Sequence, residues 1–192
     1  AVDTLPNTAP IGQGSNQVLN FDGRSSHLKI AGINLSKRSF TVEFWALRAS
    51  AGGSDFVVTQ GGEGTQSKGL HYGFRDSNIL AQAFWANDLN TTQTFETPDW
   101  VHVSMVYDDS GKTQRIYIDG TQIDSRGNVD HYKGSGDLYI GKVGWRESYF
   151  EGQLSDLRVW NLARSAQEIK ASYNQRLTGT EAGLLGYWPL DA

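Results

Sequence analysis

Apolar and polar residues alternate most regularly over residues 100–107, with Val101, Val103, Met105 and Tyr107 on one face and Trp100, His102, Ser104 and Val106 on the other. Both faces are partly apolar, which predicts a central strand. Asp108-Asp109-Ser110-Gly111 then reverses the chain, with Gly111 as the residue expected to turn left-handed. Residues 113–118 alternate again, and Asp119-Gly120 predicts a type I′ turn into Thr121-Gln122-Ile123. Three consecutive antiparallel strands follow from these residues alone.

The same reading predicts strands over residues 18–21, 27–30, 39–48, 55–60, 69–75, 78–85, 137–142, 152–161 and 184–190. In the third of these, Phe40, Val42, Phe44 and Ala46 form the core set, opposed by Thr41, Glu43, Trp45 and Leu47. Residues 61–68 form a glycine-rich loop, residues 86–98 a polar connection, and residues 143–151 a loop rich in aromatic residues. Ser165-Ala166-Gln167-Glu168 has the form of a capping box and predicts one short helix reaching to about Asn174. Residues 1–17, with Pro6 and Pro10, read as a linker or N-terminal arm, leaving residues 18–192 as one domain.

Composition narrows the class. The 22 glycines divide short apolar runs in the manner of an all-β protein, and the absence of cysteine removes disulfides and thiol chemistry. A net charge of −4 provides no basic stripe for phosphates, so nucleic acid is excluded as a partner. No apolar run approaches the roughly 20 residues that cross a bilayer, so no membrane insertion is expected. The start at Ala1 fits a processed secreted chain or a piece of a larger one.

Several stretches fall in a recognisable order: NFDG at 20–23, SFTVEFW at 39–45, WVHVSMVYD at 100–108 and IYIDG at 116–120. LYIGK at 138–142, FEGQLSDLRVWN at 150–161, SAQEI at 165–169 and GYWPLD at 186–191 continue it. The set resembles the laminin-G-like, concanavalin A-like lectin and glucanase jelly roll, near its pentraxin-like branch. The resemblance implies an all-β, two-sheet antiparallel sandwich with one short helix near the C-terminus, adjacent first and last strands, and a groove or rim open to ligands. Folds of this kind host lectins, carbohydrate-binding modules, adhesion domains and glycosidases, so function must be argued from the site.

Glycosidases of this architecture resemble one another in carrying paired carboxylates on one strand face, and a retaining pair lies about 5.5 Å apart. Here Glu43 has Thr41 and Trp45 as same-face neighbours and stands alone. There is no cysteine or G-x-S-x-G nucleophile, and the four histidines are scattered singly, with His102 read as structural. Jelly rolls resembling this one often carry calcium, which takes hard oxygen ligands. Pentraxins place acidic and amide side chains where this chain reads Lys142-Val143-Gly144-Trp145-Arg146, so a double-calcium site is not expected. One structural Ca2+ between Asp22 and Asp191 is the metal expectation, set against a turn role for Asp22.

Sugar binding needs an aromatic surface to stack on a pyranose, with polar groups for its hydroxyls. Trp145, in a loop with no alternation to bury it, fits the first need, and Arg146, Glu147 and Tyr149 fit the second. A second candidate group is Trp85, Asn87 and Asp88, beside Arg75 at the neighbouring turn. Trp45, Trp100, Trp160 and Trp188 are expected in the core, with a groove at Glu43 and Trp45 as the alternative. The expectation is a non-catalytic, extracellular recognition domain of a larger multidomain protein, with a glycan or glycoprotein as partner. A protein-binding adhesion module is the alternative, and a glycoside hydrolase the third reading.

Overall fold

The computed structural model describes residues 18–96 and 98–190, so the predicted arm at 1–17 and Asp191 lie outside the described residues. The strands of the first half are β1 (Leu19–Asp22), β2 (Leu28–Ile30), β3 (Phe40–Arg48), β4 (Asp55–Gly61), β5 (Gly69–Phe74), β6 (Ile79–Ala83) and β7 (Asp88–Thr94). They are followed by β8 (Val101–Asp108), β9 (Thr113–Ile118), β10 (Thr121–Arg126), β11 (Leu138–Ile140), β12 (Glu151–Trp160), helix α1 (Ala166–Ser172) and β13 (Leu184–Trp188). One sheet has the order β1-β12-β3-β8-β9-β10, with β13 also on β12; the other runs β2-β11-β4-β5-β6-β7. Every pairing is antiparallel, giving the expected two-sheet jelly roll.

The predicted central strands are β8, β9 and β10, with Val103 opposite Ile118 and Met105 opposite Ile116. Asp119 (φ 48°) and Gly120 (φ 77°) are both left-handed, as a type I′ turn requires. In the preceding turn the left-handed residue is Lys112 (φ 49°), and Gly111 is not. Asp108 Oδ1 accepts from the Gly111 N–H at 3.1 Å and from Ser110 Oγ at 2.8 Å, so its carboxylate holds the chain until one residue later.

Between the sheets lie Phe40, Val42, Phe44 and Ala46 of β3, facing Leu70, Tyr72 and Phe74 of β5. Burial of each large side chain of this kind contributes about 1.5–3 kcal/mol. Phe84 meets Tyr107 edge-on, centroids 5.0 Å apart, so rings from the two sheets interlock. Residues 88–94, expected as a connection, instead form the edge strand β7, whose inward positions are only Leu89 and Thr91. An edge strand with so short an apolar pattern resembles a polar loop in sequence.

Strand β3 is buried on both faces. Its outer face is covered by α1 and the flanking chain: Trp45 Nε1 donates to the Tyr173 carbonyl (3.2 Å), Thr41 Oγ1 to that of Leu162 (2.8 Å) and Arg158 Nη1 to that of Ser172 (3.0 Å). The alternative groove at Glu43 and Trp45 is therefore closed. Trp160 is buried like Trp45, whereas Trp100 and Trp188 are half-buried at the margins of the apolar clusters. Helix α1 carries the predicted capping box, with Ser165 Oγ accepting from the Glu168 N–H and Glu168 accepting from the Ser165 N–H. It ends at Ser172 with Tyr173 as C-cap, slightly short of the expected Asn174.

Under this cover, Glu43 accepts from Ser104 Oγ (3.0 Å), Trp160 Nε1 (2.7 Å) and Arg164 Nη1 (3.0 Å), and Arg158 lies 3.8 Å away. Burial pushes the Glu43 carboxyl up, but its coupling to His102, the Arg158 and Arg164 guanidiniums and the Trp160 indole N–H together outweigh burial and hold it below its usual value. Arg158 also pairs with Asp156. Burial drives His102 down to about 3, so its imidazole is neutral, as a structural histidine between the Trp45 and Tyr173 rings.

Candidate functional site

With the outer face of the β3 sheet covered by α1, the corresponding face of the other sheet is the one that carries outward aromatic side chains. Tyr139 of β11 is opposite Thr59 of β4, Thr59 opposite His71 of β5, and His71 opposite Ala83 of β6. Residues flanking each of these turn inward, so this row points away from the core.

The loop after β11 folds back onto this row. Lys142 bridges to Tyr149, Thr59 Oγ1 donates to the Lys142 carbonyl (2.8 Å), and the Gly144 N–H donates to Thr59 Oγ1 (3.1 Å). A Cβ on Gly144 would lie 2.8 Å from the Tyr139 ring, so glycine lets the loop rest against that ring. Trp145 is thereby laid beside His71, ring centroids 6.1 Å apart at 87°. It is half-buried, and its Nε1 is enclosed with no hydrogen-bond partner. Trp145 is thus more embedded than a loop tryptophan was expected to be, because Thr59 and Gly144 anchor its loop to the sheet.

Trp85 reaches the same imidazole from the other side of the chain. It follows β6 in a left-handed conformation (φ 66°), as does Ala86 (φ 53°), an arrangement that L-residues adopt only at some cost. Its carbonyl accepts from the Ser67 N–H at 3.0 Å, which fixes the 61–68 loop beside it. The Trp85 ring lies 6.0 Å from His71, and Phe56 lies 5.1 Å from it, both edge-on. The two tryptophans, read from sequence as separate groups, therefore belong to one aromatic surface.

His71, which the sequence reading did not single out, is its centre. Its Nδ1 lies 2.8 Å from the Gly69 carbonyl and, facing an acceptor, must carry the proton. Burial lowers its pKa and keeps the ring neutral, leaving Nε2 as an acceptor. Its signal in sequence was faint: an isolated histidine in an otherwise apolar strand.

The predicted polar residues divide between different tasks. Arg146 Nη2 pairs with Glu63 at 3.2 Å, tying the Trp145 loop to the 61–68 loop. Arg75 Nη2 pairs with Asp88 at 3.2 Å and its Nε donates to Asn90, and both charges act on His71. Asp88 Oδ1 also accepts from the N–H groups of Phe84 and Asn87. Asn87 is buried, its Nδ2 donating to Ser67 Oγ (3.0 Å) and the Asp130 carbonyl (3.2 Å), so it supports the loop. Glu147 and Tyr149 join a different cluster. Glu147 accepts from Tyr149 and from Lys142 Nζ (3.1 Å), Lys142 sits over the Tyr149 ring, and His27 lies 6.1 Å from it.

Asp22 is engaged by its own turn. Its Oδ1 accepts from the N–H groups of Arg24 (2.9 Å), Ser25 (2.8 Å) and Ser26 (2.8 Å), and its Oδ2 from Ser25 Oγ (2.8 Å). These bonds hold its carboxyl well below the usual carboxylate range. Asp22 is thus committed to its own turn. Among the described residues no group of three acidic or histidine side chains is arranged to hold a metal.

The fold is matched by known proteins. The family model of the concanavalin A-like lectin/glucanases superfamily matches residues 22–170. A proposed carbohydrate-binding protein from Bacteroides ovatus is 23% identical with a TM-score of 0.71, over 92% of this chain and 53% of that one. A heptameric SAP-like pentraxin from Limulus polyphemus is 18% identical (TM-score 0.63; 80% of this chain, 79% of that one). Domain 4 of AbnA, a GH43 extracellular arabinanase from Geobacillus stearothermophilus solved with arabinotriose, is 16% identical (TM-score 0.62; 88% and 86%). At these identities the likeness is one of fold, and the chain spans about half the length of the Bacteroides protein. Curated proteins return no match. With the motif order, the paired sheets and the matched family model in agreement, the chain belongs to the concanavalin A-like lectin/glucanase superfamily.

Proposed function

We propose that this domain binds a carbohydrate without transforming it, on the Trp85–His71–Trp145 surface. The observation that carries this reading is the convergence of two indoles, from loops 60 residues apart in sequence, on one neutral imidazole at the uncovered sheet face. Indole surfaces stack on the C–H face of a pyranose, while His71 Nε2, the Arg75–Asp88 pair and the Arg146–Glu63 pair offer acceptors and donors to its hydroxyls. The solved relatives support a sugar ligand, since one was crystallised with arabinotriose.

A binding role without chemistry is supported by the state of the acids. Glu43 and Asp156 are fully buried and held by arginines beneath α1, where no glycosidic bond could reach them. We read the domain as a module of a larger secreted or surface protein, in the manner of the arabinanase domain it resembles. A glycan array tests the proposal. Retention of glycans that free sugar displaces, and that Trp85→Ala or Trp145→Ala reduces, supports it; a silent array, with binding only to a deglycosylated protein, overturns it in favour of an adhesion module.

A further inference from the structure

Beside the aromatic surface, a cavity of about 270 Å³ opens between two loops, lined by Gly61, Gly62, Glu63, Lys68, Lys133 and Gly134 among others. The Lys133 N–H donates to the Ser67 carbonyl (2.7 Å), fastening the two loops together, and the Gly62 N–H to the Lys68 carbonyl (3.2 Å), closing the 61–68 loop on itself. Cβ atoms on Gly61 and Gly134 would lie 1.9 and 2.6 Å from the Lys68 carbonyl oxygen, so this close backbone packing exists only with glycine there. The cavity adjoins the platform at two points. Gly69 lies between Gly62 and Trp85, and Glu63 is bonded to Arg146 next to Trp145.

The charge of the cavity is one-sided. Its single acid, Glu63, is neutralised by Arg146, whereas neither Lys68 nor Lys133 forms an ion pair with a described residue. Two exposed lysines lining one glycine-rich cavity are complementary to an anionic substituent with several acceptor oxygens. With a net charge of −4, the chain as a whole repels polyanions, so attraction of an anion must be local to this cavity.

We infer that the cavity is an anion subsite and that the ligand is an acidic glycan, its carboxylate or sulfate bound between Lys68 and Lys133 while a sugar ring lies on the tryptophans. This inference rests on the carbohydrate reading of the platform and names its ligand class. The test is a glycan array that carries acidic glycans beside their carboxyl-reduced and desulfated counterparts, probed with the wild-type chain and with a Lys68→Gln, Lys133→Gln double variant. At least tenfold stronger retention of the acidic member of a pair is expected, with the preference abolished in the double variant and binding of neutral counterparts unchanged. Carboxyl-reduced and desulfated pairs identify which anion is read. Equal retention of both members, or a preference that survives the double substitution, overturns the subsite alone. A silent array overturns the carbohydrate reading with it.

Discussion

The imidazole of His71 and the indole of Trp145 meet edge to face at 87°, although they come from a strand and a loop more than 70 residues apart. Because the indole is half-buried against His71, removing it has two separable effects. Trp145→Ala is expected to weaken sugar binding at least tenfold, about 1.4 kcal/mol, and to lower stability by about 1–2 kcal/mol. Isothermal titration and urea denaturation measure the two; unchanged affinity in a folded variant would remove Trp145 from the site.

Gly144→Ala tests the platform without deleting an aromatic ring. The added methyl would come within 2.8 Å of the Tyr139 ring, so the loop must lift and carry Trp145 away from His71. A severalfold loss of affinity with a stability change below about 1 kcal/mol is expected. Tryptophan fluorescence should shift to longer wavelength as the indole becomes more hydrated.

Glu43→Gln is expected to destabilise the fold by about 3–5 kcal/mol, because Arg158 and Arg164 lose a buried counter-charge. Sugar binding by the folded fraction should be unaffected. A loss of sugar binding or of glycan hydrolysis without loss of stability would contradict the structural role.

His102 provides the pH dependence. Its folded pKa of about 3 lies below the ordinary histidine value, so between about pH 6.5 and 3 the unfolded chain holds the extra proton. Stability should therefore fall as pH falls through that window, by at most about 1.4 kcal/mol per pH unit from this residue. Urea midpoints measured from pH 7 to 4.5, above most carboxylate titrations, should show the slope, and His102→Gln should reduce it to the part that His71 contributes.

Legibility in the sequence followed the strength of local patterns. The β8–β9–β10 meander, β3 and the capping box were readable because alternation, Asp-Gly and Ser-x-x-Glu are short-range signals. Strand β7 was not, since an edge strand needs only Leu89 and Thr91 inside. In the site, Trp85 and Trp145 were readable as ring-bearing loop residues, but their meeting at His71 was not: it depends on the register of β4, β5 and β6. The burial of Asn87 was not legible either, because its amide type is shared by sugar contacts and buried loop staples.

Strands β1 and β13 occupy two halves of the same edge of β12. Leu19, where β1 begins, pairs with Leu154, and Trp188, where β13 ends, pairs with Leu157. The two strands therefore approach each other head to tail across the bulge at Asp156. A short Gly/Ser connector across that junction, with new ends opened in the exposed turn at Asp76-Ser77, should give a circular permutant with near-native stability. It also means that a host loop could receive this module through two neighbouring anchor points, with the His71 face of the other sheet held at a fixed attitude.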